Sequence, residues 1–128
     1  MSQGDKILVV EDNDFVRMQI VRYLSETGFA VTEASHGDQA LDVMGSQDID
    51  LAIVDVRMEP VDGFGFVRAI RGMDVDTPVI LVTGDNNPDL LEQAATWGVG
   101  AVLMKPVQKD RLLKTVERTL QAHRKKNA

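Results

Sequence analysis

Five times along this chain a short apolar run rich in branched residues is followed by a longer segment of helical period, and that alternation admits few folds. The apolar runs are Lys6–Val10, Ala30–Ala34, Leu51–Asp55, Val79–Thr83 and Ala101–Met104. Three contain unbroken apolar stretches: Ile7-Leu8-Val9-Val10, Leu51-Ala52-Ile53-Val54 and Val79-Ile80-Leu81-Val82. A strand with one wet face alternates polar and apolar residues, whereas these suit central strands of a parallel sheet covered by helices on both faces. Helices are predicted near Asp14–Thr27, Gly37–Ser46, Gly63–Arg71, Pro88–Trp97 and Gln108–Arg124. In the first, Val16, Ile20, Val21 and Leu24 recur at helical spacing and Gly28 stands where the helix must end. In the last, Leu112, Leu113, Val116 and Leu120 form the inward stripe. Right-handed crossovers then restrict this (βα)5 order to a few doubly wound sheets, of which the flavodoxin-like strand order 2-1-3-4-5 is the usual five-strand solution.

Length and charge narrow the function classes. A chain of 128 residues, 44% hydrophobic, suits a single domain with one sizeable core. We expect that core over residues 6–123, between a short polar N-terminus and a basic C-terminal tail. With 14 Lys and Arg against 20 Asp and Glu, the net charge of −6 offers no uniform basic surface for a nucleic-acid backbone. The absence of cysteine excludes disulfides and thiolate metal ligands and fits a reducing compartment, with the cytoplasm as the default. Met1–Asp5 has no apolar signal core, and no apolar run approaches the roughly 20 residues that span a bilayer, so a soluble protein is expected. The basic tail His123–Lys126 reads as a solvated helix end whose charges complement the helix dipole.

In doubly wound sheets the ligand site lies beyond the carboxyl ends of the strands, and here those ends are polar. The first strand runs into Glu11-Asp12, the third ends in Asp55, the fourth in Thr83, and the fifth runs into Lys105-Pro106. Three carboxylates, a hydroxyl and an ammonium thus converge on one crevice. Like charges ~4 Å apart at an effective dielectric near 20 repel by roughly 4 kcal/mol, so the acids call for a counter-charge. An all-oxygen set without His or Cys points to magnesium, with manganese as a substitute, ahead of calcium, for which no EF-hand pattern is present. A carboxylate can also be a covalent nucleophile toward phosphorus, given in-line positioning and positive charge on the equatorial oxygens. Magnesium and Lys105 would supply that charge, while Thr83 and nearby backbone N–H groups would satisfy the remaining oxygen.

This constellation resembles the receiver domain of two-component response regulators, over nearly the whole chain from Lys6 to about His123. The matching segments are ILVVEDN at Ile7–Asn13, DLAIVDVRM at Asp50–Met58 with DG at Asp62-Gly63, VILVTGD at Val79–Asp85 and GAVLMKP at Gly100–Pro106. The strand order above is partly borrowed from this resemblance. The resemblance implies Asp55 as phosphoacceptor, Asp12 as a direct magnesium ligand, Glu11 acting on the metal through water, and the backbone carbonyl of Arg57 as another ligand. It makes Thr83 the hydroxyl that moves toward the phosphoryl group and Lys105 its salt-bridge partner. It also implies a cis Lys105-Pro106 bond, which only X-Pro pairs adopt at modest cost.

Taken singly, each residue has a plainer role. Glu11, Asp12 and Asp14 could decorate a loop and cap the first helix, since acids favour helix N-termini. Asp55 could be a turn residue, Thr83 a β-branched strand end and Lys105 a solvated residue before proline. Their joint occurrence at successive strand ends favours the chemical reading. Trp97 and Met104 are expected to be packing residues. The chain departs from the family at Val102, where a switching aromatic usually stands, at Gly84, where alanine is frequent, and at Glu59-Pro60, where the proline comes one place late. Arg57 and Asp85, each two residues beyond Asp55 and Thr83, are expected to meet across the site mouth and regulate water access to the acyl phosphate.

The resulting expectation is a phosphorylation-controlled binding module. Its donor would be a histidine kinase or histidine phosphotransfer protein docking near the first helix and the loop after the fifth strand. Its output would pass through the face made by helix four, strand five and helix five, or through dimerisation or a domain outside this chain. An aspartate-nucleophile phosphatase of the haloacid-dehalogenase type would need a second acid where Arg57 stands. A flavin-binding relative would need a Ser, Thr and Gly cradle where Glu11-Asp12-Asn13-Asp14 would repel phosphate. A degenerate receiver serving as a scaffold would not need the metal and phosphoacceptor positions.

Overall fold

The computed structural model describes residues 4–59, 61–85 and 87–127. Its elements alternate as β1 (Lys6–Val10), α1 (Asp14–Glu26), β2 (Ala30–Ala34), α2 (Gly37–Ser46), β3 (Leu51–Asp55), α3 (Gly63–Gly72), β4 (Val79–Thr83), α4 (Pro88–Thr96), β5 (Ala101–Met104) and α5 (Lys109–Lys126). All strand pairs are parallel, and the sheet order is β2-β1-β3-β4-β5. The predicted strands coincide with those found, while α5 runs two residues past its predicted end, to Lys126.

The unbroken apolar runs are explained by two cores on opposite faces of one sheet. Leu8, Val10, Ala52, Val54, Val79 and Leu81 face Ala40 of α2, Phe66, Val67 and Ile70 of α3, and Leu90 and Ala94 of α4. On the other face, Ile7, Val9, Leu51, Ile53, Ile80 and Val82 pack against Ile20 and Leu24 of α1 and Leu112, Val116 and Leu120 of α5. Each fully buried Val, Leu, Ile or Phe among them contributes roughly 1.5–3 kcal/mol. With β1, β3 and β4 sealed on both sides, their carboxyl ends are held at one level and form a fixed floor for whatever follows them.

Helix boundaries set the entry angles of the loops around that floor. Gly28 takes a φ of 102° just past α1, and the bonds from Phe29 N–H to Leu24 O (3.2 Å) and from Gly28 N–H to Ser25 O (3.1 Å) close a Schellman motif. Asn13, rather than Asp14, caps α1: its Oδ1 accepts from Val16 N–H at 3.0 Å. The chain is still extended at Asn13, as a cap requires, whereas Asp14 already lies in the first turn and pairs with Arg17. Asp62 caps α3 through Gly65 N–H at 2.7 Å. Gly63 admits no side chain, because a Cβ there would lie 2.7 Å from the Asp55 carbonyl oxygen.

Two expectations are corrected. Met104 is not a packing residue but 41% exposed, because β5 is an edge strand and alternation turns Leu103 inward and Met104 out. The basic tail is not wholly solvated either, since Arg124 pairs with Asp5 at 2.6 Å and ties the end of α5 to the chain entering β1. Trp97 packs half-buried against the α3–α4 side of the core. Pro60 lies outside the described residues.

Candidate functional site

The ladder persists one residue beyond the formal strand ends, with bonds from Glu11 N–H to Ala34 O (3.1 Å), Val56 N–H to Val82 O (3.0 Å) and Lys105 N–H to Thr83 O (2.8 Å). Backbone pairing therefore aligns Glu11, Asp55, Thr83 and Lys105 along one edge of the sheet. Glu11, Asp55 and Thr83 are 1%, 5% and 1% exposed, an unusual burial for polar groups at a strand end. Asp12 stands exposed at the rim.

One oxygen from each of Glu11, Asp12 and Asp55 lies within 4.8 Å of the others. Lys105 Nζ is 3.0 Å from Glu11 Oε1 and 3.4 Å from Asp55 Oδ1. The first contact is an ion pair without hydrogen-bond alignment, so buried Glu11 Oε1 receives no hydrogen bond, while Oε2 accepts from Asn13 N–H at 3.2 Å. Burial first, and the Asp55 carboxylate second, push the Glu11 carboxyl above its ordinary value, against the pull of Lys105. Partial desolvation and then the neighbouring Glu11 raise Asp12. Burial draws the Lys105 ammonium down, but Glu11 and Asp55 outweigh it and leave it raised. One ammonium thus serves a crevice with excess negative charge. A hard divalent cation fits this donor set, which is all oxygen, crowded, and includes a buried atom without a hydrogen bond.

The remaining predicted residues surround the crevice. Arg57 N–H donates to Asp55 Oδ1 at 3.3 Å, and the Arg57 guanidinium meets Asp85 Oδ2 at 2.7 Å. Asp85 N–H donates to Thr83 Oγ1 at 3.0 Å, and the same hydroxyl faces Asp85 O at 3.3 Å. The Lys105–Pro106 peptide bond is cis. Val102 lies apart, half-buried on β5 beside the α3–α4 core. Sequence reasoning missed Arg17, whose guanidinium holds the Glu11 carbonyl at 2.7 Å, Asp14 at 2.6 Å and Glu33 at 3.1 Å. The i,i+3 spacing of Asp14 and Arg17 was the available signal.

A doubly wound sheet with an acidic, lysine-bearing crevice at its carboxyl edge defines an α/β domain that places its functional site beyond the strand ends. Residues 7–117 match the family described as the response regulator receiver domain, and this chain belongs to it. It is 31% identical to the chemotaxis protein CheY of Bacillus subtilis, over 90% of this chain and 97% of that one. It is 37% identical to the CAI-1 autoinducer sensor kinase/phosphatase CqsS of Vibrio cholerae, over 87% of this chain but only 17% of that protein's length. The structure of chemotaxis protein CheY4 of Vibrio cholerae superposes with a TM-score of 0.86 at 30% identity, covering 91% of this chain and 98% of the other. Receiver domains are modules of two-component signalling, in which phosphorylation and magnesium are general features.

Proposed function

We propose that this chain is a phosphorylation-controlled binding module whose Asp55 accepts a phosphoryl group from a histidine kinase or histidine phosphotransfer protein. The observation that carries the reading is the buried convergence of Glu11, Asp55 and Lys105 with Asp12 at the rim. In the transfer an Asp55 carboxylate oxygen bonds to phosphorus as the bond from phosphorus to the donor breaks, and the donor leaves with that electron pair. Lys105 sets its charge against the transferred group, and Thr83 donates its hydroxyl to a phosphoryl oxygen. Asp12, Asp55 and the Arg57 carbonyl would hold magnesium or manganese directly, with Glu11 acting through water. When bound, the cation neutralises charge on the phosphoryl oxygens.

Two surfaces support the choice of partners. Phe15 and Met18, 75% and 65% exposed, stand one turn apart on α1 beside the acidic loop and suit the docking of a phosphodonor protein. A groove of about 910 Å³ runs between β5, the end of α4 and α5, lined by Trp97, Val102, Met104, Arg111, Arg118 and Lys126 among others. Arg71, Arg111, Arg118 and Lys126 line this groove with Asp76 as its acid, so it suits an acidic downstream partner, while the net charge of −6 over the whole chain disfavours a nucleic-acid backbone. A phosphoesterase turning over external substrates is disfavoured, because Arg57 occupies the place of the acid such an enzyme needs and is paired with Asp85. No described helix is long and apolar enough to cross a membrane, and we place the domain in the cytoplasm, where phosphodonor domains of such kinases act.

The test is intact mass after incubation with acetyl phosphate, with and without magnesium, for the wild type and for Asp55→Asn. The expected outcome is a magnesium-dependent gain of one phosphoryl group that the substitution abolishes. No gain from acetyl phosphate or from a histidine-kinase donor would replace this reading with that of a phosphorylation-independent scaffold.

A further inference from the structure

All three guanidinium nitrogens of Arg17 find acceptors: Nη1 donates to the Glu11 carbonyl at 2.7 Å, Nη2 to Asp14 Oδ1 at 2.6 Å and Nε to Glu33 Oε1 at 3.1 Å. The Arg17 side chain is only 15% exposed, against 82% for Asp14 and 49% for Glu33, so the guanidinium is enclosed by the loop, α1 and β2 that it joins. Two cations thus divide the acids. Lys105 answers Glu11 and Asp55 inside the crevice, and Arg17 answers Asp14 and Glu33 outside it. Asp12 lies between them, and among the described residues no cation forms an ion pair with its carboxylate.

We propose that Arg17 is the positioning residue of the cation site: by gripping the Glu11 carbonyl it orients the Glu11–Asp12 peptide and holds the Asp12 carboxylate toward Asp55. The inference rests on Asp12 and Asp55 holding the cation. A peptide unit is planar, so fixing its carbonyl fixes the direction in which the chain enters Asp12. On the far side of Asp12, Asn13 N–H donates to Glu11 Oε2 at 3.2 Å and Asn13 O accepts from Arg17 N–H at 2.9 Å. Without the guanidinium, the Glu11 carbonyl loses its partner, and Asp14 and Glu33 lose their counter-charge beside an already acidic loop. Charge and position then act in opposite directions. A positive side chain beside a cation site repels the ion, so its removal tightens metal binding by field alone. Loosening the loop weakens binding, and loss of a group that orients a metal ligand typically costs about 10–100-fold in affinity.

The experiment titrates the metal-free protein with manganese, the free ion being read by its electron paramagnetic resonance signal, for the wild type, Arg17→Met, Arg17→Lys and Arg22→Gln. Methionine keeps an apolar stem and removes every donor, while lysine keeps the charge without the three-way fork. Arg22→Gln removes an exposed charge from the same helix. Circular dichroism and thermal midpoints check folding. Arg17→Met is expected to bind manganese about tenfold or more weakly than the wild type, with Arg17→Lys in between and Arg22→Gln unchanged. Phosphoryl uptake from acetyl phosphate should drop in Arg17→Met at limiting manganese and recover at saturation. Affinity unchanged or tightened in Arg17→Met, an equal loss in Arg22→Gln, or uptake that saturating metal does not restore would overturn the assignment. If Arg17→Met does not fold, Arg17→Lys decides, and wild-type affinity there overturns it. A wild type that binds manganese but takes no phosphoryl group removes Asp55 as acceptor and leaves Arg17 to be judged by the titration; one that binds no manganese overturns the role of Arg17.

Discussion

Glu11 carries an opposition at the heart of the site: its carboxylate is buried almost completely, yet its partner Lys105 also faces Asp55. Burial raises the Glu11 carboxyl above its ordinary 4.5, with the Asp55 carboxylate adding to the rise. A carboxyl raised in the folded state binds more protons there than in the unfolded chain, so stability grows as pH falls from neutrality through the raised value toward 4.5. Above that window the charged form weakens the metal-free protein. Glu11→Gln is therefore expected to raise the thermal midpoint of the metal-free protein at pH 7. That gain should fade as the wild type protonates in acid and shrink when magnesium is added. A midpoint lowered at pH 7 would mean that the ion pair with Lys105 outweighs burial. Most residues of this crevice were legible at strand ends. The lesson from Asn13 and Asp14 is that a run of acids and amides does not reveal which member caps the helix, because the backbone angle at one residue decides it.

At the scale of elements, the start of α3 governs how closely the helix approaches Asp55, the proposed phosphoacceptor. A Cβ at Gly63 would meet the Asp55 carbonyl oxygen at 2.7 Å and Val56 Cα at 2.9 Å, both backbone atoms that cannot turn aside. Gly63→Ala should cost about 1–3 kcal/mol and slow phosphoryl uptake, because the strand end carrying Asp55 must shift. At the other end of the same helix Gly72 has open space, so Gly72→Ala should be neutral or stabilising by up to about 1 kcal/mol. Chemical denaturation of the two variants tests the contrast. Arg71 fastens that far end, reaching the carbonyls of Val75 at 3.0 Å, Thr77 at 2.9 Å, Trp97 at 3.3 Å and Gly98 at 3.4 Å. It knits α3 to the loops before β4 and β5. No sequence pattern announced this residue, because its partners are backbone carbonyls up to 27 positions away.

For the whole molecule, the sheet that builds the core also assembles the charge cluster, so a cation held there would be linked to global stability. A ligand that binds only the folded state stabilises by roughly 2.7 kcal/mol at 100 times its dissociation constant. Magnesium at that level should raise the thermal midpoint by several degrees, and Asp12→Asn should remove most of that rise while lifting the metal-free midpoint slightly, since it relieves the repulsion with Glu11. An equal rise in the variant would place the ion elsewhere.

The sequence by itself determined the alternation of elements, the central strands and the polar strand ends, because periodicity and apolar runs are local properties that survive in any fold the chain can adopt. Only the tertiary structure decided which charges meet. Lys105 could have been a solvated residue until parallel pairing of β3, β4 and β5 set its ammonium 3.4 Å from Asp55. Likewise Arg57 and Asp85, 28 positions apart, became neighbours because adjacent strands end at one level and send their loops outward side by side.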